Sequence, residues 1–277
     1  MKRLAVLKRA AACTLVAALL LAAACTSDQP PKPVRMATTT STANTGLLDY
    51  LTKAFKAETG IELQFVAVGT GKALKHGENG DVDILLVHAP KDEEKFVANG
   101  FGLARVPVMW NDFVIAGPAE DPAGVRGAPT AAEAFTRIRA RQAPFISRAD
   151  DSGTHKKEKE IWTAAQVLPE GAWYVEAGQG MEECLVMARE KRAYVLTDRG
   201  TYMARKDLEL AILLEGDPLL INPYSLIAVN PARYPDLNTK GAQRLIDWMT
   251  STHGQQLIAD FKVDGQSLFN PGVPGAR

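Results

Sequence analysis

Five times along this chain an apolar run with strand character opens into a loop of threonine, serine and glycine, and the loop runs straight into a helix. The loops are "TTTSTANTG" after Val34–Ala37, "VGTGK" after Ile61–Ala67, "SRADDSGTH" after Pro144–Ile146, "EAGQGM" after Trp173–Val175 and "TDRGTY" after Ala193–Leu196. Between the first two loops, Leu47, Leu48, Leu51, Ala54 and Phe55 keep helical spacing up to a stop at Gly60. Asp83–Val87 is a continuous apolar run, the mark of a strand buried on both faces. Strands that alternate with helices predict an α/β fold with largely parallel sheets.

In such sheets, ligands bind beyond the carboxyl ends of the strands, where these loops lie. A helix amino end offers unpaired N–H groups and about half a positive charge. Hydroxyls add donors without charge, and glycine lets the backbone come close. The composition suits a dry pocket for a small anion. Arg148 supplies one charge and two facing helix ends supply about one more, which matches a dianion.

Each loop alone is also what an ordinary helix cap looks like. Thr154, with Glu158 near the offset of a capping box, reads that way. The run Lys156–Glu160 reads as a solvated helix face and Trp162 as core. A Ser/His hydrolase is the distant alternative, prompted by "DDSGTH". Ser152 and His155 are only three residues apart at one helix start, whereas triad members converge from separate loops.

Two further segments resemble each other. "NDFVIAGP" (111–118) and "NPYSLIAVNP" (222–231) are single apolar strands opened by Asn and closed by Pro. They read as two crossings between lobes, with residues 34–114 and 222–277 in the first lobe and 115–221 in the second. The plainer reading makes both of them edge strands.

At the amino end, Lys2, Arg3, Lys8 and Arg9 precede an apolar run from Ala10 to Ala24. That run is shorter than the ~20 residues of a spanning helix and ends in small residues, as a secretory signal does. "LAAAC" resembles a bacterial lipoprotein signal, which implies lipidation at Cys25 after removal of residues 1–24. Residues 25–33 then form a tether with little to bury. The chain has 32 basic and 32 acidic residues. Loss of those four basic residues turns the mature balance acidic, which argues against a nucleic-acid partner. Cys184 is the one thiol left in the mature domain, so no intrachain disulfide is available.

"RADDSGT" resembles the Arg-x-Asp-x-Ser-Gly-Thr loop of phosphate-binding proteins of ABC importers. Together with "TTTST", "VAVGTG", "EAGQGM", "TDRGTY" and "NPYS", it resembles the tungstate-binding family of the same class across residues 34–262. The resemblance implies a two-lobed periplasmic-binding-protein fold of the second type, with the ligand in the interlobe cleft. It implies an oxyanion ligand, tungstate or alternatively molybdate, sulfate or phosphate, and no cofactor and no catalysis. Implied partners are an ABC permease with its ATPase, and the implied location is extracytoplasmic, as a lipid-anchored monomer. The ligand-binding set is Thr39, Thr40, Ser41, Thr70 and Gly71 from the first lobe, with Arg148, Ser152, Gly153 and Thr154 from the second. Asp150 would orient Arg148 from outside the ligand shell.

Phosphate binders carry Asp-Ala-Pro where this chain has His88-Ala-Pro90. His88 is therefore expected in the ligand set as a donor that suits a proton-free dianion. Glu182 and Glu183 depart from the family pattern and would repel an anion if either faced the cleft.

Overall fold

The computed structural model describes residues 30–205, 207–263 and 265–274. The expected signal, Cys25 and the tether up to residue 29 lie outside them. The compact body begins at Lys32.

The strands are β1 (Val34–Thr39), β2 (Leu63–Val68), β3 (Ile84–Val87), β4 (Gly102–Pro118), β5 (Phe145–Ser147), β6 (Tyr174–Glu176), β7 (Tyr194–Asp198), β8 (Leu210–Leu214), β9 (Ile221–Val229), and the short β10 (Lys262–Val263), β11 (Gln266–Ser267) and β12 (Asn270–Pro271). The helices are α1 (Thr40–Asn44), α2 (Leu47–Thr59), α3 (Thr70–Asn79), α4 (Pro90–Ala98), α5 (Ala131–Ala140), α6 (Gly153–Ala164), α7 (Met181–Lys191), α8 (Arg199–Met203), α9 (Thr239–Thr250) and α10 (Thr252–Asp260). This is the α/β architecture expected. The strand order is β2-β1-β3-β9-β4-β7-β5-β6, with β8 and β12 also paired to β4. β1 pairs parallel with β2 and β3, and β5 parallel with β6 and β7, whereas β4 and β9 run antiparallel to their neighbours.

The continuous run of β3 has a simple cause. Ile84 and Leu86 face one core with Leu48, Phe55, Leu245 and Trp248, while Leu85 and Val87 face another with Leu74 and Phe96. Both faces are covered, so period-two alternation disappears from the sequence. A second pair of cores flanks the other half of the sheet. Phe113, Phe145 and Tyr194 pack with Phe135 and Trp162 on one face, and Ala116, Ile146 and Val195 pack with Leu185 and Ala188 on the other.

β4 joins the two halves. It pairs with β9 as far as Asp112↔Ile221 and with β7 from Phe113↔Asp198. The two strands picked out by their Asn and Pro residues therefore lie inside the sheet, side by side, which excludes the edge-strand reading. Asn111 stands directly opposite Asn222.

Helix α6 departs from the sequence reading. Its N-cap is Ser152, whose side chain accepts from the His155 N–H, so Thr154 is free of capping duty. Glu158 makes no capping box. It is buried and accepts from Trp162 Nε1 at 3.1 Å and from the Tyr174 hydroxyl at 2.7 Å. Burial pushes its pKa up to about 7, against the hydrogen bonds that hold it down.

Between the carboxyl's unfolded pKa and about 7, the folded chain therefore binds a proton that the unfolded chain has released. Stability contributed by this group is present at low pH and lost as pH rises through that window. Glu158→Gln keeps an oxygen for Trp162 and Tyr174 and removes the titration. The variant should match the parent near pH 4.5 and exceed it above pH 7 by up to about 3 kcal/mol, read as denaturation midpoints across pH. A parent advantage at pH 8 would show that the carboxylate is stabilising.

Candidate functional site

Three loops bring buried polar side chains together where the halves meet. β1 delivers Thr39, followed by Ser41 and Thr42 on α1, and α3 opens with Thr70; all four are buried. From the other half, β5 ends at Ser147 and hands over to Arg148, Ser152 and Thr154, also buried. The Arg148 loop is tightly wound: Ala149 and Asp151 both hold positive φ, at 49° and 57°. Non-glycine residues rarely adopt that region, and such strain clusters at ligand sites.

Asp150 fastens the arginine. Its Oδ2 accepts from Arg148 Nη2 at 2.5 Å and its Oδ1 accepts from the Ser152 N–H at 3.2 Å. One edge of the guanidinium is thus satisfied. The other is not, because Arg148 Nε is buried without a partner among the described residues. Thr70 Oγ1 and Thr154 Oγ1 are in the same condition. Ser147 Oγ and Asn111 Nδ2 also lack partners, and Thr52 on α2 completes the set. Buried polar groups are nearly always paired, so donors left open on two facing loops, one from each half, mark a place built for an acceptor.

His88 lies between the halves. A Cβ on Gly153 would collide with the His88 ring, so only glycine fits there. The ring stacks on Tyr224 with centroids 4.7 Å apart. Its Nδ1 lies 2.9 Å from Asn222 Oδ1 and its Nε2 lies 3.1 Å from Thr39 Oγ1. Both nitrogens are therefore taken by protein groups, which corrects the expectation that His88 donates to the ligand. Burial drops its pKa to about 4; the Asn222 bond opposes this, while Arg148 and Lys157 add to it. The ring is neutral at physiological pH.

Other expected site residues are placed differently. Thr40 is exposed and stays outside the buried cluster; the sequence reading missed Thr42, which takes its place. Gly71 is half-buried beside Asp151, whose Oδ2 lies 2.6 Å from where a Cβ would be. The fifth loop spends its donors on itself: the Asp198 carboxylate caps α8 through Thr201, and Arg199 turns to Asp112 and Glu215. Glu182 and Glu183 are exposed, and Glu182 accepts from Asn44 at 3.4 Å. The hydrolase alternative finds no support. His155 Nδ1 accepts from the Asp151 N–H, while Ser152 caps a helix.

A cavity of about 610 Å³ opens beside His88 and Gly153 and extends between α4 and α6. Lys91, Lys95, Lys156, Lys157 and Lys159 line it, against Asp92, Asp151 and Glu160. The Lys156–Glu160 run is thus not merely a solvated face. Lys156 reaches Asp92 on α4 at 2.5 Å, and Glu160 receives Lys91 at 3.1 Å, so both pairs bridge the halves. The cavity touches the cradle loop at Gly153, and its lysine excess makes it locally positive.

Residues 24–253 match the PBP superfamily domain. The chain is 47% identical over 243 residues to the tungstate-binding protein TupA of Peptoclostridium acidaminophilum, covering 86% of this chain and 85% of that protein. Among solved structures, it is similar to the tungstate-binding protein TupA from Desulfovibrio alaskensis G20, at 52% identity and a TM-score of 0.78, over 87% of this chain and 99% of that one. It is also similar to the structure described as the tungstate ABC transporter from Geobacter sulfurreducens, at 52% identity and a TM-score of 0.76, over 83% and 98%.

The His88 ring should keep one protonation state from pH 8 down to pH 5, because its pKa lies near 4. A histidine NMR titration reads this directly; a midpoint near the free value of about 6.5 would contradict the buried, doubly bonded placement.

Proposed function

The chain belongs to the family of the tungstate-binding proteins within the PBP superfamily, and on that footing we propose that it is an extracytoplasmic solute-binding lipoprotein that captures tungstate for ABC-type import. The observation that carries this reading is the set of open donors, Thr70 Oγ1, Arg148 Nε and Thr154 Oγ1, buried on two loops, one from each half of the sheet. Residues 34–114 with 222–277, and residues 115–221, act as two lobes that close on the ligand about the β4 and β9 crossings. Ser41, Ser152 and Gly153 complete the cradle, and the lysine-lined cavity beside Gly153 draws anions from solvent.

The chemistry favours a proton-free tetrahedral dianion. Hydrogen phosphate needs an acceptor for its proton. Asp150 is spent on Arg148 and Ser152, Asp198 is spent on Thr201, and His88 has no free lone pair. A dianion among donors alone gains charge-assisted bonds from Arg148 and hydroxyl bonds from Thr70 and Thr154. Molybdate has the same charge and shape and is the second ligand of this reading. Its separation from tungstate depends on the spacing of those donors.

Anchoring follows from the leader: Cys25 carries lipid, residues 26–33 tether a monomeric domain, and an ABC permease with its ATPase receives the ligand. Among the described residues no helix is long and apolar enough to cross a membrane. Cys25→Ser should abolish incorporation of a labelled fatty acid. Undiminished labelling would remove the anchor.

The anion reading is tested by calorimetry of the mature domain against tungstate, molybdate, sulfate and phosphate. Tungstate and molybdate should bind far more tightly than phosphate. Arg148→Ala leaves a buried dianion without its full countercharge and should weaken tungstate binding by at least ~100-fold. Arg148→Lys should recover part of it, since lysine lacks the planar fork. Parental affinity in Arg148→Ala would exclude the arginine from the ligand.

A further inference from the structure

The hydrogen-bond chain that ends at Thr39 begins at the crossing strands. Asn222 Nδ2 donates to Asn111 Oδ1 at 2.7 Å and to the Tyr224 hydroxyl at 3.0 Å. With the amide turned this way, its Oδ1 faces His88 Nδ1 at 2.9 Å. An oxygen there must receive a proton, and a neutral imidazole has only one to give. With that proton on Nδ1, Nε2 is an acceptor, and the group beside it is the Thr39 hydroxyl at 3.1 Å. Thr39 therefore donates into the protein. Its lone pairs are left to Thr42 Oγ1 at 2.6 Å, while the Ser41 hydroxyl, at 3.4 Å, is too far for a strong bond and keeps its proton for the ligand.

Every member of this chain is buried, and the Tyr224 ring covers one face of His88. Thr39 occupies the N-cap position of α1, yet its side chain makes no capping bond, which fits a hydroxyl held elsewhere. The opposite tautomer would set a bare Nδ1 lone pair against the Asn222 oxygen. It would also release the Thr39 proton and force the hydroxyl cluster to reorder.

We propose that Asn222, braced by Asn111 across β4 and β9, is a positioning residue for the oxyanion site. Through His88 it fixes the Thr39 hydroxyl as a donor into the protein, so that the first loop turns no lone pair of Thr39 towards the ligand. Asn222 touches no ligand itself; it acts through two intermediaries, and the inference rests on the anion-binding reading.

The test is a long-range proton–nitrogen NMR correlation on the mature domain labelled with ¹⁵N-histidine, paired with tungstate calorimetry. His88 should carry its proton on Nδ1 in the parent at pH 7, with and without tungstate. In Asn222→Leu, which offers no acceptor, His88 should move to the Nε2–H tautomer and tungstate affinity should fall about tenfold or more. The spectrum of the parent needs no variant, so it stands even if Asn222→Leu folds poorly. A parent ring protonated on Nε2 overturns the proposal. So does an Asn222→Leu variant that keeps either the parental tautomer or the parental affinity. Failure of the parent to bind any of the four oxyanions would overturn the anion-binding reading itself, a result separate from the tautomer.

Discussion

A guanidinium taken out of water must be paired, or it costs several kcal/mol. Arg148 is buried and paired along one edge only, by Asp150, while its Nε is left open. The rest of the site is arranged around that half-satisfied charge. The loop carrying it holds two non-glycine residues at positive φ, which turns the arginine inward and lets Asp150 also take the Ser152 N–H. α6 starts at the next residue and brings Thr154 to the same place. From the other side, β1 and α3 supply hydroxyls and no carboxylate. Binding an anion there completes hydrogen bonds that the protein cannot complete for itself.

The cradle and the lysine-lined cavity beside it differ in electrostatic character. In the cavity between α4 and α6, lysines outnumber carboxylates and stay partly solvated, so their field is screened within a Debye length and weakens with salt. In the cradle, neutral donors and one arginine act in a dry site, where each hydrogen bond counts for more. The pairs Lys156–Asp92 and Lys91–Glu160 join α4 to α6 across the opening. Being partly exposed, they add little stability individually.

Much of this was legible in the sequence because loop chemistry is local. A hydroxyl-and-glycine loop between a strand and a helix announces itself within ten residues, and Arg148, Ser152, Gly153, Thr154 and Thr70 all stand at the meeting of the halves. The paired Asn and Pro residues marked two strands that proved to be neighbours. What stayed hidden is what depends on distant partners. The first part of β4, Gly102–Trp110, is unevenly buried and shows no clean period. Glu158 looked like part of a charged helix face, and only the arrival of Trp162 and Tyr174 makes it a core acceptor. The link from Asn111 through Asn222 and His88 to Thr39 spans contacts 111, 134 and 49 residues apart in the chain. No local pattern records it. The exposure of Thr40 beside the buried Thr39, Ser41 and Thr42 follows from the single turn by which α1 leaves the sheet.

An oxyanion held by hydroxyls and Arg148 stays an intact tetrahedron, bound through hydrogen bonds to its oxygens with no protein atom bonded to the metal. X-ray absorption at the tungsten L3 edge of the tungstate-loaded protein measures that directly. Four equal oxygen neighbours, with the spectrum of free tungstate little changed, is the result expected from a cradle of hydroxyls and Arg148. A fifth or sixth neighbour, whether a carboxylate oxygen or an imidazole nitrogen, would mean that the protein ligates the metal itself, and would contradict a cradle built on hydrogen bonds alone.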